Sequence, residues 1–359
     1  MLQYGKKMQK LIKCLLLVFL ICPSNFVYSQ IGGLDNFEFL KLSTSARTTA
    51  LGGSLVSVSD GDIGLAWNNP AIMDSTFDQQ ISFNHNFHFT GISNGQVSYG
   101  HHLDEKKISL IGGIQYVNYG TFDQTDDIGN IQGTFEAKDL AIGIGASKRL
   151  NERIQAGLIL KYASSNYETY TANALLADLG LFYTKPGSSS QIGIVLRNIG
   201  FQMSNFNEEQ SSVPFDFQVG YSKRLKYLPF RFSIIAQELD QWEIRYDDPD
   251  RRGTSDLFGE TEESSGFSKS IDNLFRHLIF NGEFLLGKSE TVRLRFGYNH
   301  LLNKELSVSS FRSFGGFSFG FGINTKRFKL DLGRSSYHLA GGVTHLGFSL
   351  NLGSFFNKV

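Results

Sequence analysis

From Ile81 to the C-terminus, bulky apolar residues alternate one by one with small or polar ones. Phe317, Phe319, Phe321 and Ile323 alternate with Ser318, Gly320, Gly322 and Asn324. Leu346, Phe348, Leu350 and Leu352 do the same against Gly347, Ser349 and Asn351, as do Leu140, Ile142 and Ile144 against Ala141, Gly143 and Gly145. A period of two is the signature of a strand with two different faces. About fourteen such segments fit, near residues 81–90, 95–102, 107–119, 137–149, 154–163, 173–185, 190–199, 215–224, 230–240, 275–286, 291–301, 312–324, 326–335 and 342–353. A soluble sandwich also alternates, so the pattern alone does not fix the class.

The connections narrow the choice. Every second one is short: Leu103–Lys106, Leu150–Arg153, Pro186–Ser189, Leu225–Pro229, Gly287–Glu290 and Thr325. Most of the others are longer: Gly120–Glu136, Ser164–Ala172, Gly200–Pro214, Gln241–Leu274 and Leu302–Phe311; Gly91–Asn94 and Ser336–Gly341 are the exceptions. Tight turns at one end and long loops at the other are the asymmetry of an outer-membrane barrel. In hydrocarbon every backbone N–H and C=O must be paired within the protein, and a closed barrel does this with strands. The expected fold is therefore all-β, a transmembrane antiparallel β-barrel of about 14 strands, within a range of twelve to sixteen, over residues 81–359. An even strand count places both termini with the short turns, on the periplasmic side, and leaves the long loops, with 241–274 the longest, outside.

Residues 30–80 do not alternate. Ala46 to Gly53 reads as a short helix ended by glycine, and Asn68-Asn69-Pro70-Ala71 as a turn fixed by Asn and Pro. A barrel of this size has lumen to fill, and this segment is its natural plug, or hatch.

The N-terminus precedes both. Lys6, Lys7, Lys10 and Lys13 lead into the apolar run Leu15–Cys22 and then Val27-Tyr28-Ser29. This reads as a secretory signal over residues 1–29, cleaved after Ser29, and its apolar run is too short to span a bilayer. A lipoprotein reading through Cys22 is the weaker one, with Ile21 and Pro23 as poor neighbours. Both cysteines, Cys14 and Cys22, lie in this segment, so no disulfide or thiol chemistry is expected in the mature chain. The net charge of the whole chain is zero, with 34 basic and 34 acidic residues, and loss of the four leader lysines makes the remainder mildly acidic. That is no footprint for nucleic acid. The 38 glycines and 32 phenylalanines against 6 prolines suit a strand-rich, glycine-turned chain.

Candidate chemistry is sparse. The eight histidines are scattered without the spacing of a zinc site, no residue stands out as a nucleophile, and neither catalysis, a metal nor a cofactor is expected. Gly143, Gly145, Gly320 and Gly322 read as space-making positions facing the lumen. Phe83, Phe87, Phe89, Tyr116, Tyr119, Tyr162, Tyr183, Tyr221 and Phe296 are candidates for the aromatic girdles, some of them facing inward. In the last strand, His345, Gly347, Leu350 and Leu352 have the spacing read by the barrel-assembly machinery. The long loop 241–274 carries Tyr246, Asp247, Asp248 and Asp250 at its base. These are candidates for partner binding, and the solvated acidic turn is preferred there over a calcium site.

The run Ser45-Ala46-Arg47-Thr48-Thr49-Ala50-Leu51-Gly52-Gly53, then Asp60, then Asn68-Asn69-Pro70-Ala71, resembles the N-terminal hatch of the long-chain fatty-acid-transporter-like barrels. Gly113–Gly120, Tyr246-Asp247-Asp248-Pro249, Leu294–Asn299 and Ser336–Gly341 carry the resemblance further, to the PorV/PorQ family of the type IX secretion system. It covers about Phe37 to Phe356. It implies fourteen strands and a hatch signature of Arg47, Gly52, Gly53, Asp60, Asn68, Asn69 and Pro70. It further implies a role in a surface complex that processes exported cargo and attaches it to lipopolysaccharide. The partners so implied are a PorZ-like surface protein, a PorV-type barrel and a sortase-like protease. The alternative is a fatty-acid-transporter-like channel for hydrophobic compounds. Arg47, Asp60 and Asn69 are expected to contact the barrel wall.

Overall fold

The computed structural model describes residues 35–88, 91–206, 211–245, 266–305, 314–338 and 341–356. The predicted signal segment and the acidic residues Tyr246, Asp247, Asp248 and Asp250 lie outside them.

Fourteen antiparallel strands, each paired with its sequence neighbour, close into one barrel when β1 (Gln80–Phe87) pairs with β14 (Gly341–Asn351). Between them run β2 (Ser93–Leu103), β3 (Ile108–Thr125), β4 (Ile131–Arg149), β5 (Ile154–Tyr167), β6 (Tyr170–Thr184) and β7 (Ser190–Ser204). Then come β8 (Asp216–Arg224), β9 (Phe230–Ala236), β10 (Leu278–Leu286), β11 (Val292–Asn299), β12 (Phe317–Asn324) and β13 (Phe328–His338). The alternation decides which way each side chain points. Phe83, Ile142, Leu160, Phe296, Phe319 and Leu346 stand exposed on the outside, while Ser82, Gln96, Gln115, Gln218, Arg295 and His345 are buried inside. An apolar outer wall around a polar lumen is the arrangement of a membrane-spanning barrel. No helix of the described residues is long and apolar enough to cross a membrane.

Of the girdle candidates, Phe83, Phe87, Tyr162, Tyr183, Tyr221 and Phe296 face outward and are exposed. Tyr119 turns inward to donate to Asp139, and half-buried Tyr116 bonds His85. Phe89 lies outside the described residues.

Three expectations need correction. Gly120–Glu136 and Ser164–Ala172 are not loops. β3 and β4 run on for 18 and 19 residues and leave only 126–130 as their turn, and β5 and β6 meet across 168–169. Beyond Asn118 and Ala137 the β3–β4 ribbon makes no further strand pairing with the barrel wall, and most of its residues are exposed. With both faces in water there was no apolar stripe to betray it as strand. The region after β9 also holds more than loop: helix α1 (Gly266–Arg276) leads into β10, and a second helix, α2 (His300–Glu305), follows β11.

The third correction concerns the ends. The start of β1 and the chain after β14 do lie together at the short-turn end, where Leu352 N–H donates to Gln79. The first described residues do not. Asp35 bridges Ser212 in the long β7–β8 connection, so the described part of the hatch begins at the long-loop end.

Candidate functional site: the hatch and its seat

From Asp35 the chain descends through the lumen. Near the top, Arg197 of β7 donates to Leu40 O at 2.9 Å and Gln115 of β3 donates to Phe39 O at 3.0 Å. Phe37, Phe39 and Leu40 fill this layer against Val117, Ala141, Ala163, Ala172, Ala174 and Leu176, whose small side chains leave room for the phenylalanines. Below comes the short helix α0 (Ala46–Ala50), named for its place ahead of the barrel. Ser45 caps it through Thr48 N–H while Thr48 Oγ1 takes the Ser45 N–H, a reciprocal capping box. Gly52 and Gly53 end it at φ 86° and 110°, where a side chain would be strained. Asn69 accepts from Ala71 N–H to start the Pro70–Ile72 turn. The segment reaches the short-turn end at Met73–Phe77, where Gln155 holds Met73 O.

At the centre sits Arg47, 1% exposed. Its guanidinium has five N–H donors, and all five are used. Nη1 and Nη2 fork onto Asp60 at 2.8 Å each, Nε and Nη2 fork onto Glu283 of β10 at 3.0 Å each, and Nη1 reaches Asp62 at 2.9 Å. The carboxylates are shared with the wall. Arg231 of β9 donates to Asp60 at 2.8 Å and to Glu283 at 2.9 Å, Arg293 of β11 to Asp60 at 3.1 Å, and Arg295 to Glu283 at 3.0 Å. Arg295 also pairs with Asp331 of β13, and Lys329 donates to Gly61 O.

Four guanidinium groups thus face four carboxylates, which is what a buried charge cluster needs to persist away from water. Burial works against the Arg47 charge, but Asp60 and Glu283 hold it well above its ordinary pKa. Burial likewise opposes ionised Asp60, and Arg47, Arg293 and Arg231 keep it well below the usual carboxylate range. Lys329 and Arg47 lower Asp62 in the same way.

The rest of the seat is shape. Lumenal glycines recur around the wall where the hatch touches it. A Cβ on Gly157 would strike Pro70, on Gly180 Asn69, on Gly193 the carbonyl of Val56, on Gly297 Leu51, and on Gly333 the carbonyl of Ala46. Gly143 and Gly320, read from the sequence as space-making, admit Trp67 and Ala50. Gly145 and Gly322 instead make room for wall side chains, Ile159 for one and Asp331 with Arg295 for the other. Side-chain bonds add to the fit: Ser54 to Gln218 at 2.7 Å, Ser57 to Ser222 at 2.6 Å, and Thr49 to His345 at 2.9 Å.

The hatch-signature residues all lie in the hatch, and several of them meet the wall at different places. Arg47 and Asp60 meet the wall through the ion cluster. Asn69 donates to Val56 O at 2.8 Å and to Leu181 O of β6 at 3.4 Å. Gly52 O accepts from Asn299 at 3.0 Å. Asn68 stays within the hatch, on Thr44 at 3.4 Å. Sequence reading missed the wall side: Arg231, Glu283, Arg293, Arg295, Lys329 and Asp331. Their signal was charge at the lumenal parity of apolar strands, as in Arg293-Leu294-Arg295. A second buried pair, Lys161–Asp178 at 2.8 Å, went unread as well. Among the described residues no three His, Cys, Asp or Glu lie close enough to hold a metal.

No family model matches the chain, and no curated protein matches it in sequence. Solved structures are similar in architecture. The CymD monoaromatic hydrocarbon channel aligns at 12% identity and a TM-score of 0.49, over 86% of this chain and 97% of that one. The Pseudomonas putida toluene transporter TodX aligns at 12% and 0.47, over 89% and 98%. A Pseudomonas aeruginosa FadL homologue aligns at 9% and 0.46, over 86% and 98%. At such identities and scores no function passes from them to this chain.

Proposed function

We propose that this protein is a plugged outer-membrane barrel that works from its long-loop face, as the membrane anchor of a type IX cargo-attachment complex. The identity of the complex rests on the resemblance of the hatch and strand motifs to the PorV/PorQ family. The observation that supports an anchor is the seat of the hatch. A segment held by an ion cluster whose Arg47, Asp62, Arg231, Glu283, Arg293 and Arg295 are buried, and fitted backbone-to-wall at glycines, leaves a solute no ready path through the lumen. What remains able to act is the outer face, with the projecting β3–β4 ribbon and the long connection after β9.

In this reading the short turns are periplasmic, a PorZ-like surface protein docks on the outer face, and a PorV-type barrel and a sortase-like protease join the complex beside lipopolysaccharide. No catalytic step is assigned to the barrel. The second reading, a channel for hydrophobic compounds, is the function after which two of the structural neighbours are named, and it requires the hatch to leave its seat.

One reconstitution separates the two. Barrel placed in lipid vesicles is given toluene-like and fatty-acyl probes, and barrel extracted from native membranes is tested for the PorZ-like protein by antibody. The anchor reading expects the partner and no uptake above protein-free vesicles. Saturable uptake without the partner supports the channel instead.

A further inference from the structure

A cleft of about 530 Å³ opens on the outer wall, far from the hatch seat, between Tyr99, Leu110, Gly112, Ile144, Ala146, Leu158 and Leu160. Its origin is a diagonal of small outward residues. The register places Gly112 beside Tyr99 and Ile144, Ala146 one step lower between Leu110 and Leu158, and Ala156 one step lower again beside Lys148. A Cβ on Gly112 would meet nothing within 4 Å, in contrast with the lumenal glycines. The wall is therefore hollowed here on its lipid side, and nothing inside the barrel requires glycine at this position.

Depth and charge indicate what fills the hollow. Gly112 is four residues above Ile108, the short-turn end of β3. At about 3.4 Å per residue and a tilt near 40°, that is roughly 10 Å into the bilayer half on that side. The trough runs down to Lys148, which is exposed and has no ion-pair partner among the described residues. The two turns below add Lys106, Lys107, Arg149 and Arg153 against Asp104, Glu105 and Glu152, an excess of positive charge. On the β2 side the rim is His101, whose Nδ1 lies 2.9 Å from Asp78 Oδ1.

We propose that this cleft is a binding site for one glycerophospholipid of the leaflet at the short-turn end, with an acyl chain over Gly112 and Ala146 and its phosphate at Lys148. An apolar trough inside a membrane takes chains of the surrounding lipid, and the cation at its foot selects a headgroup bearing phosphate.

The test is native mass spectrometry of the full chain in mild detergent, with phosphatidylglycerol as the added probe. The wild-type barrel is expected to keep about one phospholipid through detergent exchange. Filling the trough with Gly112→Leu and Ala146→Leu should remove it, and Lys148→Glu should weaken phosphatidylglycerol retention about fivefold. Heat-modifiable gel migration reports folding, and Ala146→Leu alone is the fallback if the double variant fails to fold. Equal retention in the filled variant, or no retained lipid in the wild type, overturns the site. A wild-type dimer that the filled variant breaks would also overturn it, by making the cleft an interface between copies.

Discussion

Replacing Arg47 by alanine should release the hatch while leaving the barrel closed. The side chain is fully buried and makes five charged hydrogen bonds to three carboxylates, one of them, Glu283, on the wall. Removing one member of a buried ion pair costs about 3–5 kcal/mol, because the abandoned partner stays buried and charged. Arg231, Arg293 and Arg295 still hold Asp60 and Glu283, so the lower half of that range is expected, with Asp62 left to the attraction of the nearby Lys329 charge. At about 1.4 kcal/mol per decade, amide exchange in residues 46–71 should accelerate on the order of 10²-fold, while exchange in β3–β6 stays unchanged. Arg47→Lys keeps the charge but loses both forks and should fall between the two. Adding Glu283→Gln to Arg47→Ala restores charge balance and should recover part of the protection. Hydrogen exchange of the barrel in nanodiscs reads all three variants. Hatch protection within threefold of wild type in Arg47→Ala would refute the idea that this cluster holds the plug.

The shape of the seat makes a separate prediction. Gly193→Val drives a side chain into Val56 and should unseat the hatch, seen as new single-channel conductance, whereas outward Gly112→Ala should change neither folding nor conductance. The mouth should respond to pH. Glu238, in the connection after β9, is pushed up to about 7, first by burial and then by Asp216, Glu305 and Asp240 against the opposing pull of Lys41. A carboxyl raised in the fold favours folding while it stays protonated, so local stability should fall as pH rises from about 4.5 through 7, and Glu238→Gln should flatten that profile in exchange measurements. The hatch cluster has the opposite sign. Asp60 and Asp62 are depressed, so its contribution is complete above their unfolded values near 4 and is lost only as pH drops further. The protection of residues 46–71, corrected for the intrinsic rise of amide exchange with pH, should therefore be flat from pH 5 to 8. Deleting residues 121–136 should leave a folded barrel, since that ribbon touches the rest mainly through Gln124 and Glu136 at Glu168, and on the anchor reading it should weaken partner capture.

The parts of the fold legible in the sequence are those where one strand face meets lipid. Phe317–Asn324 and Leu346–Leu352 alternate because hydrocarbon and lumen demand different side chains. Where both faces meet water, as at Thr121–Thr125 and Ile131–Glu136, the alternation fades and strand looks like loop. The hatch helix and its glycine stop were legible because capping and left-handed backbone are local demands. Glu283, 236 residues from Arg47 in the chain, was not legible as its partner. Parity shows that such a charge faces inward but not which hatch residue it meets, because that depends on barrel closure. The start of the hatch at the long-loop end was hidden for the same reason: strand count places the ends of the barrel, not the path of a segment threaded through it.

The most direct measurement is a clean deletion of the gene in its native host, with type IX cargo on the cell surface quantified beside uptake of apolar compounds. The expected result is cargo that is poorly processed or shed, loss of the PorZ-like partner from the surface, and unchanged uptake. Normal surface cargo with a fall in uptake of an apolar compound would contradict it and make the barrel a transporter.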